Sequence, residues 1–318
     1  MEEINGSTPM EQKPKPKKKK GLMVLVIILT IVVLGVLGEV AYLTYSKAQK
    51  TKKIKAFVQT ESRELKNVVA KVNELGTEEL LDDPSSGDSF DDMISEAEEE
   101  NKMIEEALTS LNDAKKTTMT VDDEKVEELK KKTDEYYNEL ETTLKKYKEI
   151  SDFNLQGLKI MKPMTDDMMV LMNLYQKFDT NAEITDAEIE SAFNNAKESF
   201  NKVAQEVENM EVPENMKEKY EYDLEQMKTV AEFANQMADN FNEGKYEDSG
   251  VAFGYLVLYI QEMANDPESD DLKEAAYEPI LEEFENLNKK TEEIKNDFDM
   301  LNQQVEGMME EIEIEDWT

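Results

Sequence analysis

The sequence predicts an all-α protein: a single N-terminal transmembrane helix followed by antiparallel helical bundles of coiled-coil-like helices. Three observations predict it. One apolar run near the N-terminus is long enough to cross a bilayer. Beyond it, apolar residues recur at heptad spacing through most of the chain, and no stretch reads as strand, the β-branched residues being gathered in the apolar run.

The apolar run extends from Leu22 to Leu37, interrupted only by Thr30 and Gly35, and continues through Val40, Ala41, Tyr42 and Leu43. Roughly 22 residues of helix at a 1.5 Å rise span about 33 Å, the thickness of the hydrocarbon core. Its one charge, Glu39, lies near the end, where the carboxylate reaches the headgroups, and Tyr42 and Tyr45 suit the interface. The run is longer than the apolar region of a cleaved signal peptide, so residues 21–45 read as an uncleaved signal anchor. Six Lys fall within residues 13–20 and five (47, 50, 52, 53, 55) follow the span. The first cluster abuts the span more tightly, with Lys17, Lys18, Lys19 and Lys20 placed to meet lipid headgroups. The expected topology is a Lys-rich cytoplasmic tail (1–20), one span, and an extracellular C-terminal domain.

Five apolar stripes follow with alternating spacings of four and three. Ile54, Val58, Leu65, Val68, Val72 and Leu75 form the first, with Glu61 at the one missed position. The second is Ile94, Ala97, Asn101, Ile104, Leu108 and Leu111, and the third runs from Val126 through Tyr137 to Tyr147. Ile189, Phe193, Ala196, Phe200, Val203, Val207 and Met210 make the fourth. The fifth, from Ile280 to Ile312, is the longest, and a helix from Asp271 to Ile312 would be about 60 Å long. Between them, residues 82–92 read as a polar loop, the stretch from Thr117 to Asp123 as a turn with a helix N-cap, and Thr185 with Glu188 as a capping box. Pro163, Pro213 and Pro267 are each expected to open a segment, and the stretch from Gly244 to Gly250 to end one. Val251 to Ala264 is apolar nearly all round and reads as a helix buried on several sides. The expected division is a stalk and first bundle (46–160) and a second bundle (161–318).

Composition excludes more than it assigns. The chain has no His and no Cys, and Arg63 is its only Arg. Imidazole bases, thiol nucleophiles and the usual zinc, haem and iron–sulfur ligands are therefore missing, and the expectation is a protein that is not an enzyme and carries no cofactor. Residues 1–20 carry a net +3, so the −36 of the whole chain leaves −39 for the rest, which opposes nucleic acid. Candidate sites are few. Asp82, Asp83, Asp88, Asp91 and Asp92 form an acidic cluster able to hold a cation weakly. Asp179 to Glu190 has carboxylates at calcium-loop spacing, but Ile184 stands where that loop turns on Gly. Met161, Met164, Met168, Met169 and Met172 share helical spacing and read as core.

In its general organisation the chain is similar to membrane-anchored helical proteins of Gram-positive bacteria. It also resembles the septation-ring regulators, which join an N-terminal anchor to a cytoplasmic array of helical repeats. The first expectation is an extracytoplasmic binding or scaffold protein whose partner is another protein or an envelope polymer. The alternatives are a cytoplasm-facing coiled-coil tether in division or envelope assembly, and an envelope enzyme built on carboxylates.

Overall fold

The structure, a computed structural model, describes residues 44–76, 89–117, 119–180, 183–263 and 266–315. Among the described residues seven α-helices follow one another: α1 (Thr44–Glu74), α2 (Phe90–Lys115), α3 (Glu124–Asp179), α4 (Asp186–Glu208), α5 (Lys217–Asn242), α6 (Tyr246–Met263) and α7 (Pro267–Glu315). A 3-10 turn, Glu214–Met216, precedes α5, and no strand occurs among the described residues.

Local chemistry sets most of the boundaries. Ser89 caps α2 reciprocally: its hydroxyl accepts from the Asp92 N–H, and the Asp92 carboxylate accepts from the Ser89 N–H at 3.1 Å. The Asp123 carboxylate accepts from the N–H groups of Lys125 and Val126 at the start of α3. Thr185 and Glu188 form the expected capping box on α4. Gly244 ends α5 with φ +76°, a left-handed value that glycine adopts without strain.

Three expectations are corrected. Pro163 does not open a helix but lies inside the 56-residue α3, and Pro279 lies inside α7. An interior proline costs about 3 kcal/mol. Burial on both sides offsets that cost in α3, where Ile150 is enclosed before Pro163 and Met164 and Leu171 after it. Gly250 does not end a segment either, since it falls within α6. Nor is α6 buried on several sides: Val251, Tyr255 and Leu258 are 53%, 57% and 56% exposed.

The predicted anchor from Leu22 to Tyr42 and the Lys17–Lys20 cluster lie outside the described residues. Among the described residues no helix is long and apolar enough to cross a membrane.

The helices pack as bundles around two cores. In the first, α1 meets α2 and α7, and α3 meets α2 and α7, so four helices close a ring. The predicted stripes supply its interior, from Ile54 to Leu75, from Val126 to Tyr147 and from Ile280 to Val305, and Ile150 extends the second of these. Phe57 faces Phe298, and Tyr147 meets Phe284 edge-on at 5.9 Å. Helix α7 thus serves the first core, although the sequence placed it with the second bundle. Its register on α3 is marked by polar pairs at every seventh residue: Lys125 with Gln304, Lys132 with Asp297, Glu139 with Lys290 and Lys146 with Glu283. The numbering falls on α7 as it rises on α3, so the two run antiparallel, as coiled-coil flanking pairs do. In the second core the remainder of α3 packs on α4, α4 on α5, and α5 on α6.

Glu61 occupies the one missed heptad position and is 4% exposed. Its Oε1 and the hydroxyl of buried Tyr137 both lack a hydrogen-bond partner. Burial pushes the Glu61 carboxyl from 4.5 up to about 7; Lys130 pulls it down, while Asp134 and Glu64 add to the rise. Because the folded value lies above the unfolded one, the favourable protonated form is fully present below about pH 4.5 and is lost as pH rises through 7. Glu61→Gln is therefore expected to raise Tm at pH 8 by about 2–4 °C (~1 kcal/mol after allowance for solvent screening). At pH 5 the gain should largely vanish. Thermal melts at the two pH values check this, and an equal gain at both would remove ionisation as the cause.

Candidate functional site

The second bundle is closed on three sides and open on the fourth. Helices α3 and α6 do not make the close backbone contact that joins the other neighbours in this bundle. Aromatic side chains bridge the gap instead: Tyr175 and Phe178 of α3 each meet Phe253 of α6 edge-on, at 6.0 and 6.3 Å. The series continues across the other helices. Phe253 lies 5.4 Å from Phe193 of α4, Phe193 5.6 Å from Phe241 of α5, and Phe241 5.1 Å from Tyr246.

These six rings surround a pocket of about 420 Å³, within the size range of small-molecule sites. Ile189 adds to the apolar wall, and Gly250 and Gly254 leave the α6 side bare. A Cβ built on either glycine meets no heavy atom within 4 Å. Neither glycine is therefore required by close packing, yet each weakens the helix by about 1 kcal/mol relative to Ala. What their missing side chains provide is open space one turn apart on the pocket face.

Four side chains in the wall carry polar groups: Ser249, Asp186 and the hydroxyl-bearing rings Tyr175 and Tyr246. Ser249 is committed, its hydroxyl donating to the Met237 carbonyl at 2.7 Å. Asp186, in the first turn of α4, is exposed at the rim and is the one charged side chain in the lining. The nearby lysines are engaged elsewhere, Lys177 with Glu188 at 3.7 Å and Lys245 with Glu243 at 2.5 Å. Beside the pocket, the outer face of α6 exposes Val251, Tyr255 and Leu258, and Phe233 of α5 stacks under Tyr255 at 6.2 Å.

Two other places have some of the features of a site. A groove of about 800 Å³ runs between α3 and α7, but it is lined by the paired charges of the heptad ladder. Such exposed pairs are solvated and worth about 0–1 kcal/mol each. Glu61 has the raised pKa that carboxylate catalysis requires, but it is enclosed in the first core and lines neither the groove nor the pocket.

Of the acidic cluster the structure describes two members, Asp91 and Asp92. Asp92 is consumed by the capping box and Asp91 pairs with Lys162 at 2.9 Å, both in the first turn of α2 rather than in a loop. Asp82, Asp83 and Asp88 lie outside the described residues. No group of three or more metal-ligating side chains converges among the described residues. The stretch from Asp179 to Glu190 splits between the end of α3 and the start of α4, with Glu183 and Glu190 exposed. Met164 is buried and Met161, Met168 and Met172 pack against the second core, while Met169 is 62% exposed. Tyr45 falls in the first turn of α1, and nothing is described of its side chain.

The pocket is not legible in the sequence, where Phe193 belongs to a core stripe and α6 reads as interior. The available signal was the pair of glycines four residues apart inside an apolar helix, with no capping role. No protein-family description, curated protein or solved structure matches the chain.

Gly250→Ala and Gly254→Ala are each expected to raise Tm by about 2–4 °C, since helix propensity improves by about 1 kcal/mol and no atom is displaced. A melt showing a fall would mean that the glycines are required by the backbone and not by the open space.

Proposed function

We propose that this chain is a membrane-anchored, non-enzymatic binding protein of a cell envelope. In this reading residues 21–45 hold it in the membrane with its N-terminus inside. The helical domain stands outside and takes a ligand in the aromatic pocket of the second bundle. The observation that carries the reading is the open α3–α6 side, where six aromatic rings enclose space that two glycines leave unfilled. Buried apolar area elsewhere is covered by neighbouring helices, whereas here the apolar surface continues outward onto α6.

Binding is favoured over catalysis because the lining is mostly apolar, with one carboxylate, two tyrosine hydroxyls and a serine hydroxyl already donating to backbone. The placement outside rests on the lysine-rich tail abutting the apolar run. A tether made by pairing α7 between chains is disfavoured because the α7 stripe from Ile280 to Val305 is already buried against α1 and α3.

Two experiments test the reading. The chain has no Cys, so Glu211→Cys, at an exposed position between α4 and α5, gives a single reporter. A membrane-impermeant maleimide should label it on intact cells, after removal of any wall. Labelling only after lysis would place the domain inside. The full-length chain in maltoside micelles should also bind indole in saturation-transfer NMR, and Gly250→Leu, which fills the pocket, should abolish the signal. An undiminished signal in that variant would reject the pocket as the site.

A further inference from the structure

We infer that the pocket is selective for a small organic cation, a methylated ammonium group, over a neutral apolar molecule of the same shape. The inference rests on the reading of the pocket as a ligand site and adds the chemical class of the ligand.

Three features of the wall combine. Aromatic rings carry negative charge on their faces and attract cations within about 6 Å of the ring centre, most strongly where water is displaced. Here six such rings, contributed by all four helices of the second bundle, converge on one space. The single acidic or basic side chain in the lining is a carboxylate, Asp186, and the lysines nearby pair elsewhere, Lys177 with Glu188 and Lys245 with Glu243.

The wider field has the same sign. The chain carries −36 overall, and Glu183, Glu190, Glu247 and Asp248 lie on the segments that flank the pocket. Such a field concentrates cations and repels anions near the mouth. The positive end of the α4 dipole points the other way, but Thr185 and Glu188 cap it and Asp186 and Glu188 supply two negative charges in its first turn. A strongly hydrated metal ion does not suit this site, because one carboxylate and aromatic carbon cannot replace a shell of oxygens. A methylated ammonium needs no such replacement: its methyl groups meet the rings while its charge stays within the field of Asp186. The glycine-lined side supplies the width that a bulky quaternary group requires.

The test compares two near-isosteres on the full-length chain in maltoside micelles, with empty micelles as the blank. Choline carries the quaternary ammonium, and 3,3-dimethylbutan-1-ol replaces its nitrogen with carbon. Titrations followed by saturation-transfer NMR should show choline binding at least about threefold more tightly than the alcohol. Asp186→Asn should weaken choline about three- to tenfold while leaving the alcohol unchanged. Gly250→Leu should abolish both, with its helicity by circular dichroism equal to that of the parent. Gly254→Leu, which closes the adjacent turn, serves as the second variant if the first does not fold.

If the alcohol binds as tightly as choline and both are lost in Gly250→Leu, charge selectivity is overturned and the pocket remains a ligand site. Binding of indole without binding of choline overturns it in the same way. If neither choline nor indole binds the parent chain, the reading of the pocket itself fails.

Discussion

The continuity of α3 is the constraint on which both halves of the molecule depend. Its 56 residues supply one wall of the first ring through Ile150 and one wall of the second core from Met164 onward. A helix is stiff over such a length, so the face it presents to the first bundle fixes the face it presents to the second. Pro163 stands near the changeover, where it removes one backbone hydrogen bond. Flanks buried in two different cores hold the helix through it. The heptad ladder on α7 has the same foundation: polar pairs at every seventh residue arise when two antiparallel helices keep their apolar seams aligned.

The two bundles meet that common helix differently. In the first, α7 returns from far along the chain to close the ring, and almost every stripe residue is covered. In the second, α4, α5 and α6 follow one another by short connections, each packing on the one before. Among the described residues no returning helix closes the last side. Rings rather than backbones then span the distance from α6 to α3, and the pocket lies among them. The pocket is the geometric consequence, kept wide by Gly250 and Gly254.

Charge has a separate role. The ion pairs of the surface are mostly exposed and add little to stability. The acidic excess instead gives the domain a negative field, which bears on what approaches it rather than on how it folds. Glu61 and Lys295 are buried among the described residues, and Glu61, drawn into the core by its place in the α1 stripe, is protonated more readily as a result.

The sequence by itself determined the helical class, the stripes and the caps. Asp123, Thr185 and Gly244 act through atoms a few residues away, so their role is written locally; Ser89 acts the same way, although its stretch read as loop. Periodicity likewise identifies which residues of a helix turn inward. It does not name the helix that covers them. That is why the stripe of α7 was legible while its place in the first core was not, and why an interior proline read as a boundary. The pocket was hidden for the same reason. An apolar run such as Val251 to Ile260 looks the same whether a neighbour covers it or leaves it open. Only the tertiary arrangement decides, because coverage depends on distant segments that the local pattern does not encode.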